Sequence, residues 1–222
     1  MAVSPKPPEP RAGALALPAF YPILDLEVAA ARRLDPLTLL GEWLQAGVRL
    51  VQLRAKHLHG AALLDVAERT ARLAREAGAT FVINDRVDIA RLSDASGVHL
   101  GQDDLPPAAA RRLLADDAIV GWSTHNDTQL RAAADMPVDY VAIGPVFGTS
   151  SKRRPDPVVG IDGVRRAVAL AGGRPVVAIG GITIETAPQV LAAGAATVAV
   201  IGDVVHRDAA RRARAFLALG AR

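Results

Sequence analysis

The chain has 222 residues, half of them hydrophobic, and a formal net charge of +3 from 26 cationic and 23 anionic side chains. This apolar fraction excludes a mainly disordered protein, and the lack of cysteine excludes a disulfide framework or a thiolate metal site. Because no apolar run approaches the roughly 18–20 residues that cross a bilayer, and no secretory signal is evident, we expect a cytoplasmic protein.

Short apolar segments alternate with segments of helical period along most of the chain. Residues 1–18 hold five prolines without apolar periodicity and are predicted to form a flexible tail, followed by one domain over 19–222. Strands are predicted over 20–25, 49–54, 80–84, 97–100, 119–123, 140–144, 175–180 and 197–202. Helices are predicted over 36–46, 61–77, 107–115, 128–134, 161–170, 184–192 and 209–219.

Strict alternation of strand and helix predicts a parallel sheet whose faces are both covered. About eight repeats in roughly 200 residues favour a closed (β/α)₈ barrel. An open doubly wound sheet is the alternative, although no GxGxxG pattern follows the first strand. Asp35 and Thr183 are predicted helix N-caps, and Gly47 is predicted to end a helix in the left-handed conformation.

Polar side chains follow the predicted strands at the end where barrel enzymes carry their chemistry. Asp85 and Asp104 follow two neighbouring strands, and oxygen ligands of this kind suit Mg²⁺. Cations and hydroxyls that would bind a pyrophosphate follow other strands: Arg54, Lys56, Thr149, Ser151 and Lys152. The alternatives are that Asp85 caps the next helix and that Asp104 is a turn residue before Pro106.

Glycines after the last two predicted strands indicate a second anion site. Gly181, beside Gly180, and Gly202 would let backbone N–H groups approach a phosphate, as in many barrels. The alternative is that they are ordinary turn glycines. Two anion sites at one edge indicate two phosphorylated substrates, or one long bisphosphate.

Histidines contribute little to the predicted site. His57 and His59 fall in a loop and are predicted to be solvated, and His99 lies within a strand and is predicted to be a structural side chain with satisfied hydrogen bonds. Only His125, at a strand end, is a candidate acid or base. A site with many anion-binding groups and few bases suits the departure of pyrophosphate. The arginines near the carboxyl terminus fit the solvated face of an amphipathic helix, so no nucleic-acid partner is expected.

Seven motifs in chain order together carry a resemblance to a known family. They are QLRAK, VINDR, GVHLGQDD, GWSTH, GPVFGTSSK, AIGGIT and VAVIG. This series, over residues 20–203, resembles thiamine phosphate synthase. The resemblance implies a (β/α)₈ barrel that joins 4-amino-2-methyl-5-hydroxymethylpyrimidine pyrophosphate to a thiazole phosphate. It also implies that pyrophosphate leaves by a dissociative route and that Mg²⁺ is required.

The same resemblance implies roles for individual residues. It places the Mg²⁺ ion on Asp85 and Asp104. It places the pyrimidine pyrophosphate among Gln52, Arg54, Lys56, Asn84, Ser123 and Lys152. Of these, the resemblance implies that Arg54, Lys56, Ser123 and Lys152 assist the departure of pyrophosphate. It places the thiazole phosphate on Thr149 and Ser151, with its phosphate on the backbone of Gly181, Ile201 and Gly202.

Two other functions remain open from the sequence. One is the related thiazole tautomerase, in which His125 would transfer a proton, and the other is a barrel that binds phosphorylated ligands without catalysis. Asp203 stands beside the predicted phosphate site, where an unpaired carboxylate would repel the ligand, so we expect it to point away or to pair with an arginine. A homo-oligomer is possible.

Overall fold

A computed structural model describes residues 15–149 and 156–220. Within them, eight parallel strands close into a barrel in chain order, and β8 pairs with β1. The strands are β1 Phe20–Asp25, β2 Leu50–Arg54, β3 Thr80–Asn84, β4 Gly97–Leu100, β5 Ile119–Thr124, β6 Tyr140–Ile143, β7 Val176–Ile179 and β8 Thr197–Val200. The predicted (β/α)₈ barrel is confirmed, and the open-sheet alternative is wrong.

Helices alternate with the strands and cover the outside of the barrel. In the described ranges they are α1 Leu26–Ala31, α2 Pro36–Ala46, α3 Gly60–Glu76, α4 Val87–Leu92, α5 Pro107–Arg111, α6 Asp127–Ala133, α7 Gly160–Leu170, α8 Ala187–Ala192 and α9 Ala209–Leu217. The sequence did not predict α1 and α4, because six residues are too few to display a helical period. None of these helices has the length and apolar character that crossing a membrane requires.

Two of the three predicted helix ends are confirmed. Asp35 caps α2, since its carboxylate accepts the Thr38 N–H at 2.7 Å. Gly47 ends the same helix with φ 108°. The predicted cap at Thr183 is wrong, because a separate turn precedes α8, in which the Thr186 N–H donates to the Thr183 carbonyl at 3.1 Å.

Alternating side chains of the strands build two apolar layers. The outer layer lies between barrel and helices, where Trp43 is fully buried and Phe20 stacks on Phe216 with ring centroids 4.7 Å apart. The inner layer fills the barrel with Tyr21, Ile23, Leu50, Val82, Tyr140, Ala142, Val177 and Ala199. Leu15 and Leu17, from the predicted tail, pack against this inner layer, and residues 1–14 lie outside the described ranges.

Two arginines stabilise the loops at the amino ends of the strands. Arg111 donates to the carbonyls of Pro137 at 2.9 Å and Ala118 at 2.5 Å, and its guanidinium contacts the Asp139 carboxylate at 2.6 Å. Arg174 donates to three carbonyls in the turn before β6. Each cation therefore satisfies main-chain acceptors and holds loops against the barrel.

Candidate functional site

A cavity of about 450 Å³ opens at the carboxyl ends of the strands, and each of the eight strands contributes to its lining. Eight of the predicted site residues line it: Gln52, Arg54, Asn84, Ser123, Thr149, Gly181, Ile201 and Gly202. Lys56, Asp85 and Asp104 lie outside this lining. Ser151 and Lys152 lie outside the described residues. The barrel thus brings most of the predicted site to one opening.

Arg54 is held at the cavity by two carboxylates that the sequence did not single out. Its guanidinium pairs with Asp25 at the end of β1 and lies 3.8 Å from the Glu27 carboxylate. Asp25 is fully buried and also caps α1, because it accepts the Val28 N–H at 2.9 Å. Burial raises the pKa of Asp25, whereas the Val28 N–H and the charge of Arg54 act in the opposite direction. The α1 turn therefore fixes where the Arg54 cation lies.

Two carboxylates and one ammonium group form a cluster at the ends of β2, β3 and β4. The Lys56 Nζ lies 2.5 Å from the Asp85 carboxylate. The Asp104 carboxylate accepts the Gly101 N–H at 2.7 Å. Burial raises the pKa of Asp104, and the neighbouring Asp85 carboxylate raises it further, so the two acids interact directly.

This pair of acids has the chemistry of a magnesium site. Adjacent carboxylates repel one another, and a divalent cation would relieve that repulsion. Among the described residues, no group of three or more histidine, aspartate or glutamate side chains forms a metal site. Mg²⁺ commonly binds to one or two carboxylates and completes its shell with water and phosphate oxygens, so Asp85 and Asp104 fit this ion.

The structure tests the structural alternatives that were predicted for these two aspartates. The N-cap of α4 is Arg86, without a side-chain cap, so the alternative that Asp85 caps this helix is wrong. Asp85 instead adopts φ 65° and directs its carboxylate to Lys56. Asp104 does close a turn, since its N–H donates to the Gly101 carbonyl at 3.2 Å, and that turn places its carboxylate beside Asp85.

Five polar side chains from five strands form a hydrogen-bonded network inside the barrel, which we call the interior network. Its end members are Gln52 and Ser123, and the middle members are Tyr21, Tyr140 and His99. Gln52 donates from Nε2 to the Tyr21 hydroxyl at 3.0 Å, and the two tyrosine hydroxyls lie 3.4 Å apart. His99 Nδ1 lies 2.9 Å from the Tyr140 hydroxyl, and His99 Nε2 lies 2.8 Å from Ser123 Oγ.

The interior network is buried, and a glycine makes room for it. Burial raises the pKa of Tyr21 to about 12 and that of Tyr140 well above its usual value, so both phenols stay protonated at neutral pH. A Cβ atom on Gly121 would lie 2.1 Å from the Tyr140 ring and 2.6 Å from His99 Nδ1. Only glycine fits at that position of β5.

The glycine-rich loop after β7 is explained first by packing. Gly180 and Gly181 have φ 103° and 64°, and a Cβ on Gly181 would lie 2.4 Å from the Gly148 carbonyl oxygen. These residues are therefore turn glycines, as one alternative predicted. Gly181 and Gly202 also line the cavity, so their backbone stays available to a ligand.

Asp203 pairs with an arginine, which is one of the two arrangements predicted. Its carboxylate contacts Arg212 of α9 and accepts the Ile184 N–H at 2.9 Å. The first contact offsets its charge, and the second ties the loop after β8 to the loop after β7. Asp203 therefore stabilises the two loops that would bind the phosphate instead of presenting a free negative charge to it.

His125 lines the cavity but is held by the backbone. Its Nδ1 lies 2.7 Å from the Gly144 carbonyl oxygen, which can only accept, so Nδ1 carries the proton. The same nitrogen lies 3.5 Å from the Asp156 carboxylate. His57 and His59 are exposed, as predicted.

Comparison with known proteins decides the family. The family described as thiamine monophosphate synthase matches residues 20–204 of this chain, from the first strand to just past the last. The chain belongs to that family. Its predicted resemblance is therefore confirmed, and the matched range contains every predicted site residue.

Individual members of the thiamine monophosphate synthase family agree with this assignment. The chain is 44% identical to the thiamine-phosphate synthase of Koribacter versatilis, over 93% of this chain and 97% of that protein. It is 41% identical to the thiamine-phosphate synthase of Haloarcula marismortui, over 85% and 89% of the two chains. The solved thiamine phosphate pyrophosphorylase from Pyrococcus furiosus superposes with a TM-score of 0.80 at 32% identity, over 91% and 95%.

The sequence predicted the strand-end residues of this family member but not the acidic side chains that hold them in place. Asp25 and Glu27, which hold Arg54, were not singled out, although an acid at a strand end was a usable signal. His99 was predicted to be a satisfied structural side chain, and both ring nitrogens do have partners. Its contact with Ser123 could not be predicted, because the two residues lie on different strands.

Proposed function

We propose that this protein is a thiamine-phosphate synthase, which joins an aminopyrimidine pyrophosphate to a thiazole phosphate and releases pyrophosphate. The observation that carries the proposal is the interacting pair Asp85 and Asp104, with Lys56, at the carboxyl ends of the strands that line the cavity. This arrangement suits a magnesium-bound pyrophosphate, and it occurs in a chain of the matching family.

The pyrimidine pyrophosphate would lie over the ends of β2 to β5. Gln52 and Asn84 line the cavity there and offer amides to the ring, while Arg54 and Ser123 offer donors to the pyrophosphate. Lys56 is half exposed beside Asp85 and would reach the same anion. Lys152, which lies outside the described residues, is proposed for the same role on sequence grounds alone.

The thiazole phosphate would lie on the opposite side of the cavity. Thr149 lines that side, and Ser151 follows it outside the described residues. Gly181, Ile201 and Gly202 line the cavity, and their backbone N–H groups would bind the monophosphate. The Asp203 and Arg212 pair holds these loops in place without leaving a free negative charge.

The proposed reaction breaks one C–O bond and forms one C–N bond. The C–O electron pair leaves with the pyrophosphate, and the pyrimidine methylene becomes a carbocation that the thiazole nitrogen captures with its lone pair. Arg54, Lys56 and the Ser123 hydroxyl would stabilise the charge that develops on the leaving group. Asp85 and Asp104 would hold the magnesium ion, which would supply further positive charge to the leaving group. Positioning of the two substrates accounts for the rest of the acceleration.

The two other functions make different predictions about the same cavity. In a thiazole tautomerase His125 would transfer a proton, and in a binding barrel neither substrate would be consumed. The relatives described above are named for the synthase, which supports the condensation reaction for this chain. The cytoplasmic location and the possible homo-oligomer remain predictions.

The test is an initial-rate assay of pyrophosphate release by the full chain. Release that requires both substrates and Mg²⁺ is expected, and isomerisation of the thiazole without condensation would favour the tautomerase. Lys152→Ala should lower kcat far more than it weakens thiazole binding, because its charge acts on the departing group. A loss of equal size in His125→Ala would favour proton transfer instead.

A further inference from the structure

The interior network ends at a residue of the proposed site, and the direction of its hydrogen bonds decides what that residue can do. We propose that the network runs one way, from Gln52 to Ser123, and that His99 is a positioning residue which holds the Ser123 hydroxyl proton toward the pyrophosphate. The inference deepens the proposed function and rests on it for the identity of the anion.

Two opposite directions satisfy the four distances. In one, each group donates toward Ser123, and His99 carries its proton on Nε2. In the other, each group donates toward Gln52, and His99 carries its proton on Nδ1. A hydroxyl has one proton, so once the first bond is set the others follow along the network.

Gln52 selects the first direction. Its Nε2 faces the Tyr21 hydroxyl at 3.0 Å, and an amide nitrogen can only donate. The Tyr21 proton is then directed to the Tyr140 oxygen, and the Tyr140 proton to His99 Nδ1. Both phenols keep their protons at neutral pH, because burial raises the pKa of each.

The other end of the network agrees with this direction. His99 Nε2 would donate to Ser123 Oγ at 2.8 Å, which leaves the Ser123 proton free to turn into the cavity that Ser123 lines. The opposite direction would commit that proton to His99 and turn an oxygen lone pair toward an anion, which is unfavourable. An outward proton is a preorganised donor to the oxygen that gains charge as the C–O bond breaks.

Packing fixes the geometry of the positioning residue. The His99 ring stacks on Tyr140 with centroids 5.5 Å apart and planes 15° apart. Tyr21 meets Tyr140 edge to face at 6.4 Å. Gly121 lies under the contact between Tyr140 and His99, so the ring has a defined place, and its tautomer depends on the groups that the two ring nitrogens contact.

The direct test is ¹⁵N NMR of the full chain labelled on histidine, at a pH where the ring is neutral, with the His99 signals assigned from their loss in His99→Gln. We expect His99 to be protonated on Nε2 alone. In Tyr140→Phe, which removes the donor to Nδ1, we expect a mixture of tautomers. Protonation of His99 on Nδ1 in the unaltered protein would overturn the proposal.

Kinetics supply a second test that a merely structural role would not pass. Tyr140→Phe should lower kcat for pyrophosphate release roughly tenfold and leave the KM for thiazole phosphate unchanged. In a Ser123→Ala background the same substitution should have no further effect. Equal losses in both backgrounds would show that Tyr140 acts by another route and would overturn the inference.

A matched control removes a buried hydroxyl elsewhere. Ser93→Ala deletes a hydroxyl that donates to the Ile89 carbonyl at 2.7 Å in α4, and it should leave kcat unchanged. The two proposals fail separately. Absence of pyrophosphate release would remove the proposed function while His99 kept its Nε2 proton, and release with an Nδ1 proton would remove only the one-way network.

Discussion

The two ends of the barrel use the same residue types for different purposes. At the amino ends, Arg111 and Arg174 donate chiefly to main-chain carbonyls and hold loops in place. At the carboxyl ends, Arg54 and Lys56 are held by acidic side chains and lie at or beside a cavity. Cations bound to carbonyls stabilise a fold, whereas cations balanced by acids at an opening remain available to an anionic ligand.

The largest expected effect is on stability, from a change at the amino end. Arg111→Ala removes the cation that pairs with Asp139 and donates to two carbonyls, so it should lower the free energy of unfolding by about 3 kcal/mol. Urea unfolding measures this loss. Arg112→Ala, an exposed neighbour, should change the free energy by no more than about 0.5 kcal/mol. A marked fall in kcat of the folded Arg111→Ala protein would contradict the view that the amino end of the barrel serves stability alone.

A pair of glycine substitutions tests the packing under the cavity. Gly121→Ala forces a Cβ against Tyr140 and His99, so it should lower the free energy of unfolding by about 2 kcal/mol and also slow catalysis. Gly41→Ala in α2 meets nothing within 4 Å and should raise the free energy by up to about 1 kcal/mol. Similar unfolding curves for the two variants would contradict the account of the interior network.

Removal of one metal ligand should change the magnesium requirement. Asp85→Asn should raise the Mg²⁺ concentration for half-maximal rate by at least about tenfold, since an amide is a weaker ligand than a carboxylate. A magnesium titration of initial rates measures it. Asp88→Asn is the control: this exposed acid in the first turn of α4 pairs with Arg86, and its loss should leave the titration unchanged. An unchanged titration in Asp85→Asn would count against this ligand.

The last expected effect is gradual and appears as a difference in how steeply the free energy of unfolding falls at alkaline pH. Tyr21 titrates near pH 10 in the unfolded chain and at about 12 in the folded one, so the unfolded state binds fewer protons between these values. Stability from this group is complete below pH 10 and falls by about 1.4 kcal/mol per pH unit above it. The unfolding free energy of Tyr21→Phe should therefore fall less steeply than that of the unaltered protein. Parallel curves from pH 9 to 12 would contradict the burial of this hydroxyl.

Local patterns predicted the barrel and most of its opening, because strand and helix periods lie within short stretches of sequence. They also predicted that Asp203 would point away from the phosphate or pair with an arginine, since the electrostatic argument requires no coordinates, and the arginine pair is present. Local patterns could not predict the interior network. Tyr21 and Tyr140 are 119 residues apart and meet only because the barrel closes. The roles of Asp25 and Glu27 likewise depend on the register that sets β1 beside Arg54.

The central claim is that the carboxyl end of this barrel condenses two phosphorylated substrates. The most direct measurement is ³¹P NMR of the full chain mixed with the pyrimidine pyrophosphate, the thiazole phosphate and Mg²⁺. One free pyrophosphate should appear for each thiamine phosphate formed, and neither should appear when one substrate is omitted. Both substrates remaining unchanged, or a thiazole phosphate that isomerises without release of pyrophosphate, would contradict this claim.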